Sequence, residues 1–185
     1  MKVVIAGGGS VGRFTAEQLV EAGHEVTIIE NDRSVVREYA DDASTGVKWH
    51  QGDACDVSVL AAAGVTMADV VASVTGDDED NLVVSLLAKQ EFGVPRVVAR
   101  VNNPNNYWMF NEMWGVDVSV STPHLITSLV QEAVTVGSFV RLMQLKGGKA
   151  ELVEVTLAEN SPAIDKALAD IQFPRSATVV AVVRD

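Results

Sequence analysis

The hydrophobic pattern changes period again and again over residues 1–120. Lys2 to Ala6 is a short apolar run rich in β-branched residues and predicts a strand. Val11, Phe14, Gln18, Leu19 and Ala22 then recur at helical spacing, and Gly23 stands where such a helix ends. Glu25 to Ile29 is a second strand, with Glu30 at its carboxyl end. Asp32 to Ala40 reads as a helix capped by Asn31 or Asp32, with Val35, Val36 and Tyr39 turned inward. Val47 to Gln51 gives a third strand and a helix starts near Asp56. Asp69 to Val74 gives a fourth, followed by a helix running to Phe92 that Gly93 and Pro95 bring to an end. Arg96 to Val101 and Val116 to Val120 are the fifth and sixth strands. Between them, Asn102 to Asn106 is a loop and Tyr107 to Met113 a short apolar helix whose Trp108, Phe110 and Met113 are expected in the core. Strict alternation of strand and helix predicts an α/β, Rossmann-like, doubly wound parallel sheet over 1–120.

The rhythm then breaks. Ser121 or Thr122 can cap a linking helix over 121–138, Pro123 suits its first position, and Gly137 can end it. Leu125, Ile126, Leu129, Val130, Ala133 and Val134 form a continuous stripe, with Glu132 the only acidic or basic residue between His124 and Gly137. Such a stripe needs cover, from a second subunit or from the rest of the chain. Residues 139–185 read as strand, Gly147-Gly148 hairpin turn, alternating strand from Glu151 to Leu157, helix near Pro162 to Ile171, and strand from Thr178 to Val183. This small α+β module is marginal on its own and reads as an incomplete domain.

Composition narrows the function. A chain of 185 residues, 48% hydrophobic, fits one medium domain with a small appendage. No apolar run approaches the roughly 20 residues of a membrane span, and the first strand begins at once, so no signal peptide is expected. Cys55, the single cysteine, excludes an intrachain disulfide and a Cys-rich zinc site and suits a reducing cytosol. A formal charge of −11 argues against nucleic acid as partner.

Gly7, Gly9 and Gly12 hold the G-x-G-x-x-G spacing between the first strand and its helix, which is the context the motif requires. The first glycine permits a tight turn, the second lets backbone approach a pyrophosphate, and the third lets the helix pack on the strand. The helix N-terminus offers N–H donors to phosphate. Glu30 can accept hydrogen bonds from both ribose hydroxyls. Ligands in such sheets lie beyond the carboxyl ends of the strands. That places Gly52, Asp53 and Ala54, the Thr75-Gly76 lip and Arg100 around the same opening. Asp53 can accept from an adenine amino group or cap the next helix. Arg33 can stack on adenine, reach a phosphate, or be a solvated cation. Arg100 can hold phosphate or form a structural ion pair. Asp77, Asp78, Glu79 and Asp80 suggest either a metal site or a helix's first turn, where anions meet the dipole. Gly8, Ser10, Val11, Asn31 and Asp77 complete the candidate nucleotide-binding set, and no metal ligand is assigned.

A dehydrogenase needs an acid, base or cation near the nicotinamide. His24, His50 and His124 come with no paired carboxylate or lysine in sensible order, Cys55 has no identified base, and no G-x-S-x-G elbow occurs. The chain is therefore read as a nucleotide binder without catalysis. An NAD-dependent oxidoreductase domain is the alternative, and an assembly domain with an empty cleft the third reading.

With these residues in place, the chain resembles the cytosolic regulatory subunits of Trk/Ktr potassium-uptake systems, the TrkA family, whose Rossmann part is the RCK (or KTN) domain. IAGGGSVG, Glu30, QGDACD, VTGDDEDNL through VPRVVARV, and WGVDVSVSTP carry the resemblance over 1–123. EVTLAENSPAIDKALADIQFP through VVAVV is similar to the opening half of the small TrkA-C domain. The resemblance implies a homo-oligomer, dimers assembled in a ring, at the cytoplasmic face of a membrane potassium-translocating subunit. NAD(H) or ATP/ADP would bias the gate by shifting the angle between paired Rossmann domains. It implies nucleotide contacts at Gly7 to Val11, Glu30, Thr75-Gly76 and Arg100, with Gly52, Asp53 and Ala54 on the adenine side. Ktr-type members carry an acidic residue where this chain has His124, so no inherited metal site is expected. The resemblance also implies domain bounds of 1–120, 121–138 and 139–185, the last a partial TrkA-C domain.

Overall fold

The computed structural model describes residues 1–134, 139–145 and 150–183. Much of the architecture follows from β1 (Lys2–Ala6). Its side chains alternate, so Val3 and Ile5 face one side of the sheet and Val4 and Ala6 the other, and all four are buried. A strand buried on both faces calls for parallel neighbours and helices above and below. β2 (Glu25–Glu30) and β3 (Lys48–Gln51) extend the sheet on one side of β1. β4 (Val70–Ser73), β5 (Arg96–Val101) and β6 (Val118–Ser121) extend it on the other. The order is β3-β2-β1-β4-β5-β6 and every pairing is parallel. This is the doubly wound sheet that the alternation predicts, with its direction of winding reversed between β1 and β4.

α1 (Ser10–Glu21) covers one face, setting Ala16 against Ile5 and Ile28. α2 (Arg33–Tyr39) leads into β3 with Val35, Val36 and Tyr39 half-buried, as expected. α3 (Val57–Ala62) and α4 (Asp78–Gln90) cover the opposite face, where Leu60, Val84 and Ala88 join Val4, Ala6 and Ile29. Ile5, Ile28 and Leu60 are fully buried, each a gain of about 1.5–3 kcal/mol. The sheet's centre is the stable part of the chain.

Three expectations need correction. α1 does not bury its Val11–Phe14 side: Phe14 is 66% exposed, while Gly12 and Ala16 face the sheet. Close seating of Gly12 on the first turn sets the helix's rotation, and small residues win that contact. The apolar helix over 107–113 is replaced by two 3-10 segments, Pro104–Met109 and Glu112–Trp114. Asn103 and Asn111 turn their side chains onto the amides of Asn105 and Met113, an alternative to helical bonding, and Gly115 leaves at a φ of 75°. Phe110 is buried, but Trp108 and Met113 are 74% and 82% exposed.

The third correction is in the tail. β7 (Phe139–Leu145) and β8 (Ala150–Val155) form a separate antiparallel pair. The expected helix over 162–171 is a series of turns with one 3-10 segment, Leu168–Asp170, and Asp165 stands at a φ of 58°. Residues 178–183 have no strand beside them among the described residues and take no ladder. Nearly all of 156–183 is exposed, and a short helix without packing is unstable in water. α5 (Thr122–Val134) connects the two sheets. Leu125, Ile126, Leu129 and Val130 are 38–56% exposed, so the described chain leaves these four residues of the stripe largely uncovered. The expected helix end at Gly137 and hairpin turn at Gly147-Gly148 lie outside the described residues. No described helix is long and apolar enough to cross a membrane.

Candidate functional site

The carboxyl ends of β1 to β5 open on a cleft of about 530 Å3. Gly7 leaves β1 at a φ of 105° and donates its N–H to the Ile29 carbonyl at 2.9 Å. A Cβ there would stand 3.0 Å from Thr75 backbone, so a glycine is what lets the turn lie against the end of β4. A Cβ on Gly12 would stand 1.9 Å from the Gly7 oxygen, which shows how directly α1 seats on the turn. Gly9, by contrast, faces open space.

Gly9 is the N-cap of α1 and brings no side-chain acceptor to it. α2, α3 and α4 are capped by Asp32, Asp56 and Asp77, whose carboxylates accept from the amides of Ser34, Ser58 and Glu79. Among these four helices, α1 alone presents first-turn amides with no carboxylate of its own, and Ser10 and Val11 line the cleft. Asp56, and not Asp53, caps α3. Asp53 stays at the cleft wall and accepts from the Cys55 amide at 2.8 Å.

Glu30 faces the glycine turn from the end of β2. One carboxylate oxygen accepts from the Gly8 amide at 2.7 Å and the other from the Asp32 amide at 2.8 Å. The Gly8 carbonyl in turn accepts from Arg13 at 2.7 Å, and the Arg13 guanidinium lies 4.0 Å from the centre of the Tyr39 ring. The Gly8 peptide is thus held from both ends, which orients the amides that follow it.

The opposite lip is tied together by Asn81, which is fully buried on α4. Its side-chain oxygen accepts from the Thr75 amide at 2.9 Å and the Thr75 hydroxyl at 2.8 Å, and its nitrogen donates to the Arg100 carbonyl at 3.0 Å. Asp78, buried beside it, accepts from the amides of Asn102 and Asn103 and from the Asn106 side chain. Burial opposes its ionisation, but these hydrogen bonds outweigh it and hold the carboxyl below its ordinary value. The acidic run therefore starts a helix: Asp77 caps it and Asp78 fastens the loop after β5. Among the described residues, no three His, Cys, Asp or Glu side chains converge as metal ligands.

Arg100 lines the cleft, and its buried Nε has no hydrogen-bond partner. Among the described residues the ion pairs join Lys48 to Glu25 and Lys89 to Asp117, so no carboxylate claims this guanidinium. A guanidinium held partly out of water beside this cleft has the chemistry to receive an anion.

Most of the candidate set meets at this cleft: the turn residues Gly7, Gly9, Ser10 and Val11, then Glu30 and Asn31, then the Gly52-Asp53-Ala54 turn. Thr75, Gly76, Asp77 and Arg100 close it from the other side. Gly8 and Gly12 are buried behind the turn and act on its shape. Arg33 stands exposed at the start of α2, outside the cleft, which fits the solvated alternative. Cys55 and Asp80 line the cleft unforeseen, with Sγ 3.6 Å from an Asp80 carboxylate oxygen. Burial, and then the charges of Asp80 and Asp53, push the thiol up to about 12, so it stays protonated. Asn81 was also missed. Its one legible signal is its place on the inner face of α4, four residues before the buried Ser85.

Comparison with known proteins agrees with this architecture. Residues 3–122 match the TrkA-N domain and residues 152–185 the TrkA-C domain. The chain is 50% identical over all 185 residues to the Trk system potassium uptake protein TrkA of Mycobacterium tuberculosis, covering 82% of that protein. In fold it is similar to the Kef CTD of Shewanella denitrificans in AMP-bound form, with a TM-score of 0.61 and 22% identity over 72% of this chain and 80% of that one. It is also similar to the GsuK channel bound to NAD, with a TM-score of 0.63 and 17% identity over 77% of this chain and 25% of that one. Matched by a family domain across most of its length, and by a relative sharing half of its residues from end to end, this chain belongs to the TrkA family.

Proposed function

We propose that the chain is a nucleotide-sensing regulatory subunit of a potassium-uptake system, working at the cytoplasmic face of a membrane potassium-translocating partner. NAD(H) or ATP/ADP is the ligand class, and binding biases the partner's gate without consuming the nucleotide. One observation carries this reading: the uncapped α1 amides and the unpaired Arg100 share a cleft with Glu30, at the point where the sheet's winding reverses. The diphosphate belongs on α1 and Arg100, and an adenosine ribose on Glu30. The name of the M. tuberculosis relative and the AMP- and NAD-bound states of similar folds support it. None of the three histidines lines the cleft and the Cys55 thiol is held protonated, which favours sensing over hydride transfer.

In this reading residues 1–120 sense, 121–138 link, and 139–185 form a partial TrkA-C-like domain. The exposed apolar residues of α5 meet a second copy, so that dimers build a ring. Calorimetry of the parent and Arg100→Ala with NAD+, NADH, ADP and ATP tests the site. The parent should bind at least one of them, and the variant should bind it about tenfold more weakly. Absence of heat from all four would remove the reading. Potassium flux through vesicles holding the membrane partner should depend on the bound nucleotide; equal flux with and without it would remove the gating role.

A further inference from the structure

We propose that the loop after β5 is a transmission segment, which hands a displacement of the Thr75-Gly76 lip on to the first turn of α5. The linkage lies in the protein's own bonds and stands whatever occupies the cleft. Its fixed point is the start of α4, a helix seated on the sheet by the fully buried Val84 and Ala88. Asp78 and Asn81, three residues apart on one side of that helix, are both buried. Asn81 holds the lip and the end of β5, while Asp78 holds the loop. Asn102 closes the triangle: its amide donates to Asp78 at 2.6 Å and its side-chain nitrogen to the Thr75 carbonyl at 3.1 Å. Lip and loop are thus one hydrogen-bonded plate.

One joint of the plate has two settings. The Thr75 hydroxyl has a single proton and two acceptors, the Asn81 side-chain oxygen at 2.8 Å and the Asp77 carbonyl at 3.0 Å. It can turn between a bond that leads on to β5 and one that closes on the α4 cap. Two discrete arrangements are what a linkage between distant places requires. On its far side the loop runs straight into Tyr107. Asn106, next to it, donates to Asp78 at 2.9 Å, and Phe110, three residues on, is buried with Val101 and Val116. Tyr107 packs on that same cluster, and its ring meets the His124 ring edge-on, with centroids 5.3 Å apart and planes at 86°. His124 belongs to the first turn of α5, where Leu125 and Ile126 beside it are exposed, so the ring contact is well placed to steer the helix. A shift of the loop therefore reaches α5 at a rigid ring and not through slack chain. α5 packs in turn on β7, which would follow it.

Hydrogen–deuterium exchange of the full chain, read by mass spectrometry, tests this with no ligand present. Thr75→Val removes the two-way hydroxyl and keeps the side chain's shape, and Asn102→Ala removes the tie between loop and lip. Each should change exchange over residues 122–134 about fivefold, while residues 10–21, off the path, stay within about twofold of the parent. With His124→Ala added, the same substitutions should leave α5 unmoved; with His124→Phe, which keeps a ring, the response should return. An α5 that ignores both lip substitutions, or that responds equally with and without the His124 ring, would overturn the proposal. Should one lip variant fail to fold, the other decides alone. The nucleotide reading is tested separately by calorimetry, so nucleotide binding alongside a silent α5 would overturn the transmission and leave the site standing.

Discussion

Glu30 does two things with one carboxylate in the proposed site: it orients the Gly8 peptide and would hold the ribose. Glu30→Ala should therefore weaken adenosine-nucleotide binding about tenfold and also lower stability by about 1–3 kcal/mol, because the Gly8 amide loses its acceptor. Glu30→Gln keeps one carbonyl and should recover part of the stability, as read by urea unfolding. Gly12→Ala drives a methyl into the Gly7 carbonyl and should cost about 3 kcal/mol in the same assay. Beside Cys55 in the cleft, Asp80→Asn removes a charge that raises the thiol, so iodoacetamide labelling at pH 8 should speed up. At this scale the sequence shows Gly7, Gly9, Gly12, Glu30 and Arg100 because spacing and strand ends locate them. It hides Asn81, whose bonds reach Thr75 and Arg100 across distances that no local pattern encodes.

The elements are legible where side chains cap them. Aspartates stand at the starts of α2, α3 and α4, and β-branched runs mark β1, β2 and β5. The segment over 104–114 is misread because asparagines bonding their own backbone outbid apolar spacing, and the tail because it has little to pack against. Asp78 ties two such elements together. Its folded carboxyl titrates below the unfolded one, so its contribution is complete above the ordinary carboxylate range and is lost as pH falls through its own lower value. Asp78→Ala strands the amides of Asn102 and Asn103 and should cost about 2–4 kcal/mol at neutral pH, with a smaller deficit in acid. A deficit that stays constant down to pH 3 would separate the effect from ionisation.

For the molecule as a whole, the alternating strands and helices make the sheet readable in advance, whereas what covers α5 is not written in one chain's pattern. If α5 meets a second copy, the parent should run larger than one chain in light scattering, and Ile126→Glu with Leu129→Glu should return it to one chain with unchanged circular dichroism. A parent that runs as a single chain at high concentration would remove that interface. The sheet order has a consequence of its own. Gly7, Glu30, Gly52, Thr75 and Arg100 come from five successive stretches of sequence, and β4 is threaded in beside β1 only after β2 and β3 have been made. A chain cut or stalled before β4 thus has the glycine turn and Glu30 but no far wall. Ligand can reward only the finished architecture. If the cleft takes the nucleotide proposed above, that ligand steadies copies that have completed the weave and ignores those that have not.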